Sequence, residues 1–591
     1  MAEVAQAVAQ IAATQAANRA RPVEPSMRGR ELRELARQRA DMMPQAVERI
    51  TTQAAAEVAG LEDPERTIYH RERFFALLAD VLAPLDARPF VDTLQDLGGI
   101  IARVSCAYWW RRQLTRAAIA KREAAGREAS EVCAKRRQPY VTHDTVHRML
   151  EQDERNRATL EGTELENADG QVFNLGELAA KSTANPAIRR GELMTRIKGC
   201  EAWADEAGWL GIFTTHTTPS RYHATKHNGR PNPNWEAAGR PTIKDGQQWL
   251  CKTWARARSA LQRRGLGVFG FRVAEPHQDG TPHWHAMLWV EPSAAEREGI
   301  AGSMPGNACK AAALLRAYWL ADSGDESGAA EHRFKAVALN PGGAAGYCAK
   351  YISKGIDGHG ATLDEGHHDE EDGAKIVMEQ GQLYEGATRV RFWARAHHIR
   401  QFQAIGQPPV TAWRELRRVE AAALQFAPEG LRLAWDATNK TAEGGADWGL
   451  YLTAQGGAAS GRGYAYAVAT EKREVVGRYE TATQAKHVGV LDKAAGFVAR
   501  SSRKEWKARG TWSPEQREQA RARAFEWSAC GASLPRTRVN NCTQDKGPTR
   551  PQAPRAVHCD GLRGVDRFAP WLREATGEHQ TPPPHHHHEP I

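Results

Sequence analysis

The sequence contains no Cys-x-x-Cys pair. Its nine cysteines, at 106, 133, 200, 251, 309, 348, 530, 542 and 559, are scattered, which argues against a disulfide framework and against a cysteine-based zinc site. No apolar run approaches the roughly 18 residues that a membrane helix needs, and a mean hydropathy of -0.60 describes a soluble chain. The start, MAEVAQAVAQIAATQAANRARPVEP, lacks a basic region leading into an apolar core, so a signal peptide is not expected and a cytoplasmic location is. No Gly-x-x-x-x-Gly-Lys-Ser/Thr is present, which removes the P-loop nucleotide site.

What the chain does have is length and positive charge. Its 591 residues exceed one ordinary core, so several domains are expected. A net charge of +9 fits either solubility or attraction to a polyanion. Residues 1–30 read as a frayed or disordered leader. Residues 31–205 are mainly helical, with apolar residues at three- and four-residue spacing over Met27 to Ile50 and Arg71 to Leu82. Tyr108-Trp109-Trp110-Arg111-Arg112 interleaves aromatics with arginines, and the core reading of its tryptophans is preferred over base stacking.

From Trp209 the texture changes to strand formers, through Thr217. A helix with basic spokes (Lys252, Arg256, Arg258, Arg263, Arg264) follows over Asp245 to Arg264. Then come a hairpin, a helix at Cys309 to Ala321, a strand at His332 to Leu339, and a helix opened by Asn340-Pro341-Gly342-Gly343. This order predicts an α+β domain over 206–425, an antiparallel sheet flanked by helices. Residues 357–373 read as a mobile loop. Residues 426–530 form a mixed accessory region with short strand-like pieces between 446 and 495 and a helical stretch from Pro514 to Ser528. Residues 531–591 form a disordered Pro/Arg/His-rich tail.

The hairpin carries the chemistry. His283 and His285 stand two apart on a strand, so both imidazoles leave the same face. Gln278-Asp279-Gly280 is a turn signal, and a preceding strand ends at Glu275. Folded back, Glu275 joins the histidines as a third donor with positions left open. Such a set fits Mg²⁺ or Mn²⁺ in a phosphate-handling site, and His-rich sets also take Zn²⁺. His277 competes as a ligand but reads better as an exposed turn histidine.

Tyr347 and Tyr351 are four apart, so on a helix their hydroxyls share a face, with Lys354 on it and Lys350 near it. A phenol with a pKa of about 10 is a weak nucleophile at neutral pH. A Lewis acid on the phosphoryl oxygen would compensate. Attack of the phenolate on a DNA phosphodiester would expel the 3′-hydroxyl and leave the 5′ end as a phosphotyrosine, so rejoining needs no ATP.

Thr214-Thr215-His216-Thr217-Thr218-Pro219-Ser220-Arg221-Tyr222-His223, Pro282-His283-Trp284-His285 and Tyr347-x-x-x-Tyr351 together resemble the motifs of HUH endonucleases. The chain is more closely similar to the phage replication gene A proteins. Tyr108-Trp109-Trp110-Arg111, Pro139-Tyr140-Val141-Thr142, Asn185-Pro186 through Met194, Ile399 to Gln403 and Trp413 to Arg418 extend the resemblance over roughly Tyr108 to Arg418. It implies a central HUH endonuclease domain in an initiator of rolling-circle replication. His283 and His285 would hold the ion, and both tyrosines would act, one nicking the origin and one releasing the circle. Thr215, Thr217 and Arg221 would line the DNA or support the site, and Lys350 and Lys354 would contact DNA. The implied partners are single-stranded origin DNA and a host helicase and polymerase, in the cytoplasm of the bacterial host.

Three other readings compete. A metallohydrolase using water would not need the tyrosines. A non-catalytic origin-binding protein would be indifferent to His283 and His285. Relaxases and two-tyrosine transposases are closer neighbours, but relaxases usually carry the nucleophile before the histidines, and the breadth of the match disfavours transposases.

Overall fold

The computed structural model describes residues 22–60, 62–85, 97–133, 138–294, 306–339, 342–343, 346, 380–439, 445–510, 513–516 and 518–519. Two compact units emerge: Met1–Glu131 with Lys472–Lys486, and Val132–Glu471 with His487–Ile591.

The first unit is built on helices α1 (Gly29–Glu57), α2 (Asp63–Leu82), α3 (Leu97–Val104) and α4 (Ala107–Glu128). Along α1, Leu32, Leu35, Ala36, Met43, Ala46, Val47 and Ile50 are buried, the stripe expected of an amphipathic helix. Trp110 is fully buried and donates its indole N–H to the Val104 carbonyl at 2.6 Å, while Tyr108 remains 42% exposed under the Arg111 guanidinium. The core reading holds for Trp110. The tip Lys472–Lys486 is fastened within this unit by a 2.5 Å ion pair from Arg103 to Glu480.

In the second unit the strands, in chain order, are β1 (Glu164–Asn167), β2 (Val172–Asn174), β3 (Leu210–His216), β4 (Val268–Pro276), β5 (Pro282–Val290), β6 (Phe334–Ala338), β7 (Phe402–Ile405), β8 (Tyr466–Val476), β9 (Thr481–Asp492), β10 (Phe497–Arg500) and β11 (Trp506–Ala508), with the tips of β8 and β9 counted in the first unit. Five make an antiparallel sheet in the order β6-β3-β5-β4-β7. Five helices matter around it: α5 (His143–Glu161), α6 (Pro186–Glu206), α7 (Ile243–Arg263), α8 (Asn307–Leu320) and α9 (Gln380–Ala396). The α+β class read from the sequence is the class found.

Alternation sorts the sheet's residues into two faces. One carries Phe213, Phe269, Phe271, Val273, Met287 and Trp289, which share a core cluster with Leu193, Ile197, Cys200 and Ala204 of α6. The other carries Trp284, whose indole N–H donates to Gln247 Oε1 of α7 at 3.1 Å, and His216, which lies against Trp319 of α8. Helices therefore cover both faces, α6 on the first and α7 with α8 on the second.

The compact units divide the chain elsewhere than the ranges read from sequence. Helix α6 belongs to the sheet's own core, and so do Trp448, Tyr451, Tyr466 and Val490 from the region read as accessory. That region also differs inside. Residues Trp448–Ala454 are helical, and β8 and β9 run 11 and 12 residues rather than as short pieces. The glycines between 456 and 463 precede β8 and leave its pairing with β9 unbroken. The Asn340 helix, the 357–373 loop, most of the Pro514–Ser528 stretch and the tail lie outside the described residues. Among the described residues no helix is long and apolar enough to cross a membrane.

Helix α6 starts at Pro186 behind Asn185, whose side chain accepts from the Ala187 N–H at 3.0 Å. It approaches the Trp448–Ala454 helix closely at Gly199, where a Cβ would stand 2.6 Å from both Gly449 N and Trp448 Cβ. Gly199→Ala should therefore lower the urea midpoint by an amount equivalent to about 1–3 kcal/mol of overpacking strain; an unchanged midpoint would mean the two helices separate freely.

Candidate metal and DNA-strand site

The β4–β5 hairpin forms in the register that sets Glu275 opposite His283 and Val273 opposite His285. Its five-residue connection is held from inside and outside. The His277 N–H donates to the Thr281 carbonyl at 2.8 Å, and Asp279 accepts from the Thr281 N–H at 3.0 Å and the Ala224 N–H at 3.0 Å. Gly280 sits at φ +80° with a would-be Cβ 2.8 Å from the Tyr140 carbonyl, so both conformation and space require glycine there. Trp393 of α9 donates to the Gly280 carbonyl at 2.8 Å, and Tyr140 N–H donates to the Gln278 carbonyl at 3.1 Å.

At this end of the α6-covered face the apolar residues give way to polar ones. His283 Nε2 and His285 Nε2 are 3.0 Å apart, and Glu275 Oε2 is 3.8 Å from His285 Nε2. One donor atom from each of the three lies within 4.8 Å of the others. Glu275 is 2% exposed, while the His285 side chain is 13% exposed, so the cluster is buried from the carboxylate side and open from the imidazole side. Thr215 Oγ1 lies 3.2 Å from His285 Nδ1; with that nitrogen protonated, Nε2 carries the lone pair toward the cluster. Phe213 stacks on the His285 ring at 5.5 Å and 17°, and His277 lies 4.2 Å from the His283 ring, which fixes both imidazole planes. His277 is half-buried against His283 rather than exposed in the turn.

The donor set fits a divalent ion. Two ligands about 2.1 Å from one metal at right angles stand about 3 Å apart, which is the observed imidazole spacing. Glu275 would add an oxygen, and the partly exposed imidazole side would leave positions for water or substrate.

Of the other residues read from sequence, Thr217 is half-buried and its N–H donates to the Arg333 carbonyl at 3.0 Å. Arg221 is committed to Asp322 in a two-pronged pair at 3.0 and 2.6 Å, with Trp249 donating to the same carboxylate at 2.7 Å. That pair holds the Asp322 carboxyl well below its ordinary range. The Arg221 side chain thus supports the loop after β3. Tyr347, Lys350, Tyr351 and Lys354 lie outside the described residues.

The sequence reading missed Lys335. It stands directly opposite Thr215 on the edge strand β6, so Lys335, Thr215 and His285 form one row across three strands on the site face. Its side chain is exposed. The strand was legible; its neighbour in the sheet was not.

His216, in the same motif as Thr215, points to the opposite face. It is fully buried among Trp254, Trp319 and Phe334, with Nε2 2.8 Å from Thr214 Oγ1. Burial, with a smaller contribution from the Arg272 charge, lowers its pKa from 6.5 to about 3.

Two outcomes follow from this geometry. Manganese titration followed by electron paramagnetic resonance should give one tight site, weakened at least tenfold in Glu275→Gln and more in His283→Ala/His285→Ala; equal affinity in all three proteins would remove the cluster as a metal site. For His216 the folded pKa is depressed, so the unfolded chain takes up the proton first. Stability should fall as pH drops from about 6.5 toward 3, by up to about 1.4 kcal/mol per pH unit. Chemical denaturation of His216→Gln across that range should show a shallower fall than the parent; parallel curves would count against a neutral buried imidazole.

A family model described as bacteriophage replication gene A protein (GPA) matches residues 30–359. The replication gene A protein of Escherichia phage 186 is 38% identical over 400 residues, 66% of this chain and 53% of the relative. That of Escherichia phage P2 is 38% identical over 372 residues, 61% of this chain and 44% of the relative. A probable replication endonuclease from a prophage-like region of Salmonella paratyphi A is 36% identical over 370 residues, 60% of this chain and 42% of the relative. The chain spans about half the length of the curated relatives it matches. No solved structure matches. The match begins well before Tyr108, taking in the α1–α4 helices as well as strands β3 to β6 of the sheet. With more than half its length inside that model, the chain belongs to the bacteriophage replication gene A protein family.

Proposed function

We propose that this chain is a site-specific single-strand DNA endonuclease and strand transferase of the HUH type, which nicks an origin to start rolling-circle replication. The observation that carries the reading is the convergence of Glu275, His283 and His285 within 4.8 Å on one hairpin, in a family whose members include replication gene A proteins. The name of the Salmonella relative, probable replication endonuclease, points the same way.

Glu275, His283 and His285 would hold Mg²⁺ or Mn²⁺, which when bound polarises the scissile phosphate. Thr215 keeps the His285 ring in the orientation that offers Nε2. Lys335, in register with Thr215, binds a phosphate oxygen of the same strand. The nucleophile is the phenolate of Tyr347 or Tyr351. Its oxygen forms a bond to phosphorus, the bond to the 3′ oxygen breaks, and that oxygen leaves as a 3′-hydroxyl after taking a proton. The 5′ end stays on the tyrosine, so the phosphodiester energy is retained. The second tyrosine repeats the attack on the regenerated origin and releases the circle. With no P-loop in the sequence, unwinding and synthesis fall to a host helicase and polymerase in the bacterial cytoplasm.

Labelled single-stranded origin DNA incubated with the protein and Mg²⁺ or Mn²⁺ should give a covalent adduct on a denaturing gel. Tyr347→Phe and Tyr351→Phe should each reduce it and the double variant should abolish it, while His283→Ala/His285→Ala should slow cleavage by at least a hundredfold. An adduct that survives the double variant would overturn the assignment of the nucleophile, and cleavage without any adduct would point to water.

A further inference from the structure

The helix α7 carries a feature the nicking reaction leaves unused. Between Gly246 and Arg264 the sequence has five cations, Lys252, Arg256, Arg258, Arg263 and Arg264, and no acid. All five are exposed, and among the described residues none of them pairs with a carboxylate. Lys252, Arg256 and Arg263 follow one another at steps of four and seven, which on a helix confines them to a stripe roughly 40° wide and about 16 Å long. Leu250, Thr253, Ala257, Ala260 and Leu261 turn inward to the core, so the stripe faces away from the sheet. Arg256 is steadied over the Tyr318 ring at 5.7 Å.

The ridge and the candidate site are on opposite sides of the sheet. Helix α7 meets the sheet through Trp284, whose side chain alternates with those of His283 and His285. A strand held at the cluster is therefore not the strand that meets the ridge. We propose that the Lys252–Arg256–Arg263 stripe is a second DNA-contact surface, one that grips the phosphate backbone of duplex DNA beside the nicked origin. This rests on the reading of the chain as a DNA-nicking protein. Duplex DNA is favoured by what the ridge lacks. Single-strand surfaces interleave cations with exposed stacking aromatics, and protein interfaces centre on apolar anchors. Among the described residues no large hydrophobic side chain of α7 is exposed. What remains is a regular row of unpaired positive charge, the counterpart of a polyanion with one charge per about 1.7 Å of axis.

The test compares the full chain with the triple variant Lys252→Ala/Arg256→Ala/Arg263→Ala. A second variant, Arg155→Ala/Arg157→Ala/Arg500→Ala, loses the same charge from exposed, ion-paired positions. Binding to a duplex of random sequence is measured as a function of salt. The slope of log affinity against log salt should shrink by about 2–3 in the ridge variant and by far less in the control. Cleavage of a short single-stranded origin oligonucleotide should be equal in all three. A slope unchanged in the ridge variant, or changed equally in the control, would overturn the proposal and leave the ridge to an acidic protein or to solvent. If the parent fails to cleave the oligonucleotide, the nicking reading fails while the slopes still decide the ridge.

Discussion

A β-hairpin has only two ways to present its side chains, and a slip of one residue exchanges them. For β4 and β5 that exchange would send Glu275, His283 and His285 to the face lined by α7 and α8, and bring Arg272 and Trp284 to the open end of the other. The connection from His277 to Thr281 therefore bears most of the specification. Asp279 ties it to Thr281 and to the loop at Ala224. Trp393 of α9 and the Tyr140 backbone clamp Gly280 and Gln278. Arg389 on the same helix donates to the Pro139 and Val141 carbonyls, so the segment before α5 and the helix α9 hold the turn together. The stretch Pro139 to Thr142, noticed in the sequence only as part of a resemblance, has this physical role.

The sheet face that bears the cluster is graded along its strands. Phe269, Phe271, Met287 and Trp289 bury one end under α6, and their packing sets the strand positions. At the other end the same strands end in Glu275, His283 and Thr215, where coverage thins enough for His283 and His285 to be partly exposed. Among the described residues the reverse face has no such opening. There Arg272 lies 3.6 Å over the Trp284 ring and donates to Gln403 at 2.6 Å, and His216 is held neutral among aromatics. Charged and titratable groups on that face are absorbed into packing, while on the first face His283, His285 and Lys335 keep some exposure.

Much of this was legible in local pattern. Strand-forming residues from Trp209 to Thr217, the basic helical period after Asp245 and the turn at Asp279-Gly280 each specify an element through short-range sterics, and the structure has β3, α7 and the hairpin there. Adjacent strands joined by a short turn also give their register, so Glu275 could be placed beside the histidines. Long-range pairing leaves no such mark. That β6 flanks β3 and sets Lys335 beside Thr215, or that Glu164–Asn167 pairs with Trp506–Ala508, depends on contacts between segments far apart in the chain. Arg221 shows the complementary limit. A cation next to a site motif reads as a DNA contact, and only the position of Asp322 reveals that its charge is already used.

The same logic bears on the tyrosines. The last described strand before Tyr347 is β6, which pairs with β3 from His216 to Ile212 and so shares the sheet of the cluster. The first described helix after Tyr351 is α9, whose Trp393 and Arg389 secure the hairpin turn. The described elements that precede Tyr347 and follow Tyr351 in the chain are thus both tied to the sheet and hairpin that carry Glu275, His283 and His285.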